Sequence, residues 1–249
     1  MFTVTGSVPD SPSHRRAREV LPPGGGVLDV GCGGGRAALA LAPPAGRLVG
    51  VDTDEAMLTA FAAAAHARGV AHTTLCGQWP SVAPQAPVVD VAVCHHVAYN
   101  VADLAPFAVA LTEHARRRVV LELPSRHPLT WMAPLWRQFW NLDRPDGPTA
   151  DDCVAVLREA GLPVQMEGWL DDGAETRAPL TDEQRARVTR VRLCLPPQRE
   201  PEVAEALRAV GPRGPRRTVT VWWDVDGSRA SRAGRPVPGP REGPASAAD

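Results

Sequence analysis

The 249-residue chain has no lysine, no isoleucine and a single tyrosine. Nowhere does it run apolar long enough to cross a bilayer. The two missing residue types fit the codon bias of a GC-rich genome and carry no chemistry. All basic charge is therefore arginine, and 27 basic against 28 acidic side chains leave a formal net charge of −1. No global field draws such a chain toward nucleic acid or an anionic membrane surface, and neither is expected as a partner. The five cysteines, at 32, 76, 94, 153 and 194, show neither C-x-x-C spacing nor the density of a secreted disulfide scaffold, which points to a reducing compartment. The opening Met1-Phe-Thr-Val-Thr-Gly-Ser-Val-Pro lacks a basic start followed by an apolar core, so a cytoplasmic protein without a secretory signal is expected. No cluster of His, Asp and Cys has the spacing of metal ligands, and no metal is expected. With 44% hydrophobic residues the chain can bury one α/β core. The expected organisation is a single domain over residues 1–226, followed by a disordered Gly, Pro, Arg, Ser and Ala tail over 227–249.

The most informative stretch that is present is Val27-Leu-Asp-Val-Gly-Cys-Gly-Gly-Gly35 followed by Arg36-Ala-Ala-Leu-Ala-Leu-Ala42. An apolar run ending in glycines and then in helix formers reads as strand, tight turn and helix start. Glycines at 31, 33 and 35 remove Cβ atoms where the backbone turns and where a ligand can approach the main chain. The next strand signal, Arg47 to Val51, ends in Asp52, 21 residues beyond Gly31. An acid at that spacing stands at the end of the second strand, where it can accept both hydroxyls of a ribose.

Two cofactor classes use such a site. A dinucleotide fingerprint G-x-G-x-x-G/A fails at Arg36 when read from Gly31 but passes when read from Gly33 through Gly35 and Ala38. The pattern is better described as D-x-G-x-G-x-G led by Asp29. A carboxylate there sits badly beside a pyrophosphate and well beside an ammonium or sulfonium, and S-adenosylmethionine carries both. On these residues and on Gly50-Val-Asp-Thr-Asp54, the first two thirds of the chain resemble the class I S-adenosylmethionine-dependent methyltransferases. The resemblance implies that Asp29, Gly31, Cys32, Gly33 and Gly35 hold the methionine part and that Asp52, with Thr53 beside it, holds the ribose. It further implies an adenine contact in Cys76-Gly-Gln-Trp79, where Gln78 stands in place of the usual acid and Trp79 follows. His95 completes the expected cofactor shell.

The remaining punctuation predicts a basic helix over 13–21, a helix over 55–68 capped by Thr53 or Asp54, and strands near 72–75, 88–94, 117–123, 164–170 and 218–224. It adds helices over 101–115, from Thr149 to Ala160 behind a capping box, and within 180–192 and 202–210. The fold class is thus α/β: a Rossmann-like, seven-stranded, mostly parallel sheet with helices on both faces and a helical insertion after the fifth strand. The carboxyl ends of such strands gather His95, His96 and Glu122, with Ser125 and His127 near them. His95 and His96 are the candidate general bases, and Glu122 ranks below them. The insertion, about 125–148, carries Trp131, Leu135, Trp136, Phe139 and Trp140. It reads equally as a lid, with His127, Trp131, Trp136 and Trp140 lining an apolar acceptor pocket, or as packing against the sheet.

Absent motifs narrow the chemistry. No Asp/Asn-Pro-Pro-aromatic follows the fourth strand, no Pro-Cys pair supplies a nucleophile for cytosine methylation, and no three-cysteine cluster suggests an iron-sulfur centre. The expected activity is methyl transfer from S-adenosylmethionine to a small-molecule acceptor with an apolar or aromatic part. The alternatives are an NAD(P)-dependent oxidoreductase using Gly33, Gly35, Ala38 and Asp52, and a noncatalytic S-adenosylmethionine-binding module.

Overall fold

The computed structural model describes residues 10–171, 180–211 and 214–225. The expected tail over 227–249 lies outside the described residues. Seven strands form one sheet: β1 (Gly26–Val30), β2 (Arg47–Asp52), β3 (Ala71–Cys76), β4 (Val89–His95), β5 (Ala115–Pro124), β6 (Gln165–Asp171) and β7 (Arg216–Asp224), in the order β3-β2-β1-β4-β5-β7-β6. The pairs β1–β2, β2–β3, β1–β4 and β4–β5 are parallel, while β7 runs antiparallel to both β5 and β6. The sheet is mostly parallel, as the sequence predicts. Strand order reverses between β1 and β4, which makes the crevice outside their carboxyl ends the place where such sheets bind ligands.

The helices are α1 (Pro12–Arg18), α2 (Arg36–Leu39), α3 (Glu55–Ala67), α4 (Leu104–Glu113), α5 (Ala133–Trp140), α6 (Ala150–Glu159), α7 (Asp182–Arg192) and α8 (Glu200–Val210). The period-2 alternation of the strands divides the core. Ala92, Cys94, Val119, Leu121, Val221 and Trp223 point to the face covered by α4 and α6. Val91, Val93, Val120 and Trp222 point to the face covered by α1, α2 and α3. Glu122 follows Val120 by two residues and His95 follows Val93 by two, so both belong to the second face, under α1.

Local signals explain most boundaries. Asp54 accepts from Ala56 N–H at 2.8 Å to open α3, and Gly69 at φ +66° follows its end. At α6 the capping box is complete: Thr149 Oγ1 accepts from Asp152 N–H at 3.1 Å, and Asp152 Oδ2 accepts from Thr149 N–H at 2.8 Å. The helix predicted over 101–115 is shorter, because β5 already begins at Ala115.

The aromatic insertion packs away from the sheet. Met132 and Leu135 are fully buried against Ala186, Leu193, Leu195, Val203, Ala206 and Leu207 of the α7–α8 layer, with Trp131, Trp136 and Phe139 at the margin. Arg199 lies 4.9 Å over the Phe139 ring, and Trp140 donates its indole N–H to Leu193 O at 2.7 Å. Of the two readings of this segment, packing describes these contacts, although the partner is α7 and α8 rather than the sheet. Leu135→Ala should therefore cost about 2–5 kcal/mol of local stability. Hydrogen exchange is expected to accelerate across α7 and α8 and to stay unchanged in β1, β4 and β5. Acceleration spread evenly over the sheet would mean that the insertion is part of the main core.

Candidate active site

The chain leaves β1 through Gly31, Gly33 and Gly35 at φ +73°, +49° and +86°, the left-handed region that a side chain disfavours. The three glycines differ in what surrounds them. A Cβ on Gly31 would lie 2.3 Å from Val97 Cγ2, just past β4, and one on Gly35 would lie 2.8 Å from Phe61 of α3. A Cβ on Gly33 would meet nothing within 4 Å. Gly31 and Gly35 are thus demanded by the protein's own packing, and Gly33 alone opens onto free space.

Around that opening the predicted residues separate. Asp52 ends β2 beside the loop, where Oδ2 accepts from Gly33 N–H at 2.8 Å and Oδ1 from Asp54 N–H at 3.0 Å. An ionised carboxylate has about four lone-pair sites, so capacity remains for a sugar's hydroxyls. Thr53 and Gln78 are exposed at the rim. Trp79 is 6% exposed and donates its indole N–H to Phe107 O at 3.2 Å, which commits it to the core under α4. Cys32 is likewise 6% exposed, with its sulfur 3.0 Å from where a Cβ on Gly50 would sit. Burial pushes its thiol far up, so its side chain is an inert wall.

Asp29 differs from its expected setting. Its side chain is 1% exposed and lies beneath the loop, where Oδ2 accepts from Ala38 N–H at 3.1 Å. Burial raises its pKa to about 7, the Ala38 amide opposes that rise and the nearby Asp52 charge adds to it. The carboxylate anchors α2 to β1 from below.

His95 and Glu122 are paired residues of the adjacent strands β4 and β5. Glu122 is 3% exposed yet accepts from two sides. His96 Nε2 stands 3.1 Å from Oε1, and the Ser11 hydroxyl donates to Oε2 at 2.8 Å. Burial alone would raise its pKa; the neighbouring His95, His96 and Ser13 hold it well below the usual carboxylate range. His96 sits at φ +61° just past the strand, and its own N–H donates to Glu122 O at 2.6 Å. With Nε2 3.1 Å from the carboxylate, a neutral ring that carries its proton there keeps its lone pair on Nδ1, and the side chain is 28% exposed.

His95 is a different kind of histidine. Its side chain is 9% exposed, its Nδ1 lies 3.9 Å from Glu122 Oε1, and its ring packs 5.3 Å from that of His14. Burial pushes its pKa down to about 3, so it is neutral at physiological pH. Ser11 and His14, at the start of α1, are site residues that the sequence reading missed. The Ser11-Pro-Ser-His14 cap is visible locally, but its contact with a strand 111 residues away is not. His127 lies further along the edge, its ring 5.4 Å from Tyr99 and nearly perpendicular to it. Trp136 and Trp140 contact α7 and α8 instead. A shallow pocket lined by Thr112, Leu162, Trp223 and Val225 lies at the opposite sheet edge. Among the described residues no group of acidic, histidine or cysteine side chains has the geometry of a metal site, and no helix is long and apolar enough to cross a membrane.

Residues 27–118, which include the loop, Asp52 and the His95–His96 pair, match the family model described as a methyltransferase domain. This segment belongs to that family, and its fold is that of the class I methyltransferases. Among solved structures, the YcgJ protein of Bacillus subtilis is 16% identical, with 85% of this chain and 97% of that one covered and a TM-score of 0.55. Precorrin 8w decarboxylase of Methanobacterium thermoautotrophicum is 14% identical, with 89% and 96% covered and a TM-score of 0.51. At such identity these two share the fold alone. No curated protein sequence matches the chain.

Two tests follow from the loop. Gly31→Ala is expected to unfold the protein or lower its melting temperature strongly, whereas Gly33→Ala should cost only about 1–2 kcal/mol for its left-handed backbone and remain folded. Equal damage from both, in melting curves, would refute the distinction. Asp29→Asn tests the buried carboxyl. Because the folded pKa lies above the ordinary 3.8, the native state binds the proton more tightly, and wild-type stability attributable to Asp29 falls as pH rises from about 4 to about 7. The difference in melting temperature, variant minus wild type, should rise through that window and level off above it. A flat difference would show that Asp29 does not titrate there.

Proposed function

We propose that the chain is an S-adenosylmethionine-dependent methyltransferase whose acceptor is a small molecule that loses a proton as it is methylated. The observation that carries this reading is the Glu122–His96 couple, a buried carboxylate on the Nε2 side of a partly exposed imidazole, placed where β4 ends beside the glycine loop. The fit of the cofactor rests on Gly33, where a Cβ would stand in open space, and on Asp52 beside it with lone pairs to spare. When bound there, S-adenosylmethionine supplies an electrophilic methyl group on a sulfonium. Asp52 would accept from the ribose hydroxyls, and Gln78 at the rim would meet the adenine edge with its amide. Asp29 would act from beneath the loop, as a charge felt through it and as the anchor of α2.

His96 is the proton acceptor in this reading, because its Nδ1 lone pair belongs to a ring that is part exposed, while the His95 ring is enclosed. Glu122 orients His96 and stabilises the cation formed when the proton arrives. Holding acceptor and methyl group in line supplies the remaining acceleration, and no covalent nucleophile is needed. His127 and Tyr99, further along the same edge, are the proposed acceptor wall. Trp131 stands at the margin of the α5–α7–α8 packing, and Trp136 and Trp140 contribute through it rather than by lining the pocket.

The nicotinamide reading keeps one point in its favour: Asp29 is covered by the loop, so it would not directly repel a pyrophosphate. Calorimetric titration separates the two. S-adenosylhomocysteine is expected to bind, and Asp52→Ala to weaken it by about 1.5–3 kcal/mol, the cost of losing hydrogen bonds to a charged group. Binding only of an oxidised nicotinamide dinucleotide would overturn the methyltransferase reading.

A further inference from the structure

The helix α1 precedes the matched segment, yet its first turn reaches the proposed base. Glu122 Oε1 faces His96 Nε2 at 3.1 Å, while Oε2 accepts the Ser11 hydroxyl at 2.8 Å. Ser11 is 9% exposed and caps α1. Its proton is assigned by its neighbours. His14 N–H donates to Ser11 Oγ at 3.3 Å, and Ser11 N–H donates to His14 Nδ1 at 3.2 Å. Ser11 Oγ also lies 3.2 Å from His14 Nδ1, but that lone pair already takes the Ser11 N–H, and the ionised carboxylate at 2.8 Å can only accept, so the hydroxyl proton goes to Glu122. A serine cap needs only its lone pairs to serve a helix, and this proton is therefore free for a second role.

We propose that Ser11 is a positioning residue: by clamping one oxygen of Glu122 it keeps the other on His96 Nε2 and so fixes the His96 tautomer with its lone pair on Nδ1. The catalytic value of this clamp rests on the reading of His96 as the proton acceptor. A glutamate carboxylate rotates broadly about its last torsion. A competing partner is at hand, since His95 Nδ1 lies 3.9 Å from the same Oε1. Without the Ser11 hydroxyl the carboxylate is free to turn toward His95, and the His96 proton is free to move to Nδ1. Ser13 also acts on Glu122, but its Oγ is shared with Thr220 Oγ1 at 2.7 Å; His14 presents its ring to His95, and the charges of Asp10, Arg18 and Arg36 act on the histidines from outside the contact.

The test uses the full chain labelled with ¹⁵N-histidine, without ligand and at alkaline pH, so that the imidazole nitrogen shifts report the tautomer directly. Ser11→Gly removes the hydroxyl while glycine remains an acceptable cap. In wild type, His96 is expected to show a protonated Nε2 and a bare Nδ1. In Ser11→Gly the two shifts should converge, and Ser11→Thr should restore them. For methyl transfer, kcat should fall about tenfold in Ser11→Gly, a part of what a general base supplies, with KM for S-adenosylmethionine unchanged. A wild-type His96 tautomer in Ser11→Gly would overturn the proposal and leave Ser11 as a helix cap. Convergent shifts without any methyl transfer in wild type would remove the functional reading while leaving the clamp in place.

Discussion

The buried charge of Glu122 is the constraint around which this structure is arranged. A carboxylate with 3% exposure is tolerable only when its lone pairs are matched by donors. The matching groups come from different parts of the chain: the Ser11 hydroxyl from the cap of α1 and the His96 imidazole from beyond β4. Satisfying one charge therefore fixes the position of α1 over the sheet as well as the turn after β4. The rest of α1 follows the same line. Ser13 meets Thr220 at 2.7 Å, Arg16 forms a fork with Glu167 and lies 4.2 Å over Trp222, and Arg118 joins Glu19 to Asp224 at 2.7 Å each. Several of these ion pairs are half exposed and individually weak, so their value lies in setting the direction of the helix.

The turn after β4 then acts on the glycine loop. Val97 follows His96 directly, and its Cγ2 occupies the space that a side chain on residue 31 would take. The loop and His96 are thus mechanically adjacent: the backbone bend that brings His96 to Glu122 also lays Val97 on Gly31. On the other side the loop is tied to β2, since Gly31 and Cys32 donate to Val51 O and Gly33 donates to Asp52. Gly33 remains as the part of the turn that faces outward.

What the sequence disclosed and what it withheld divide along the range of the interactions. The strand-loop-helix at Val27–Ala42, the acid at 52 and the capping box at Thr149 depend on neighbours within a few residues, and each was legible. The function of the glycines was legible only in part, because a pattern of small residues does not distinguish a space filled by Val97 or Phe61 from one left open. Trp79 looked like a cofactor wall but sits in the core, and Trp136 and Phe139 found partners in α7 and α8, about 50 or more residues downstream. Ser11 and His14 were missed for the same reason: a cap is a local signal, whereas its proton's destination is not.

Asp29 and Glu122 show how similar burial produces opposite electrostatics. Asp29 has a single amide donor, from Ala38, and desolvation wins, raising its pKa to about 7. Glu122 gathers hydroxyl and imidazole donors, and those outweigh desolvation, so it stays ionised. The difference assigns them different work. A carboxyl with a single amide donor and a pKa raised to about 7 carries only part of its charge near neutral pH, which lowers the cost of burying it. A carboxylate that is permanently charged can orient an imidazole without competing for its proton, since accepting that proton would mean giving up its other donors. The fixed charge thus lies beside the His96 imidazole and the more weakly ionised carboxyl beneath the glycine loop.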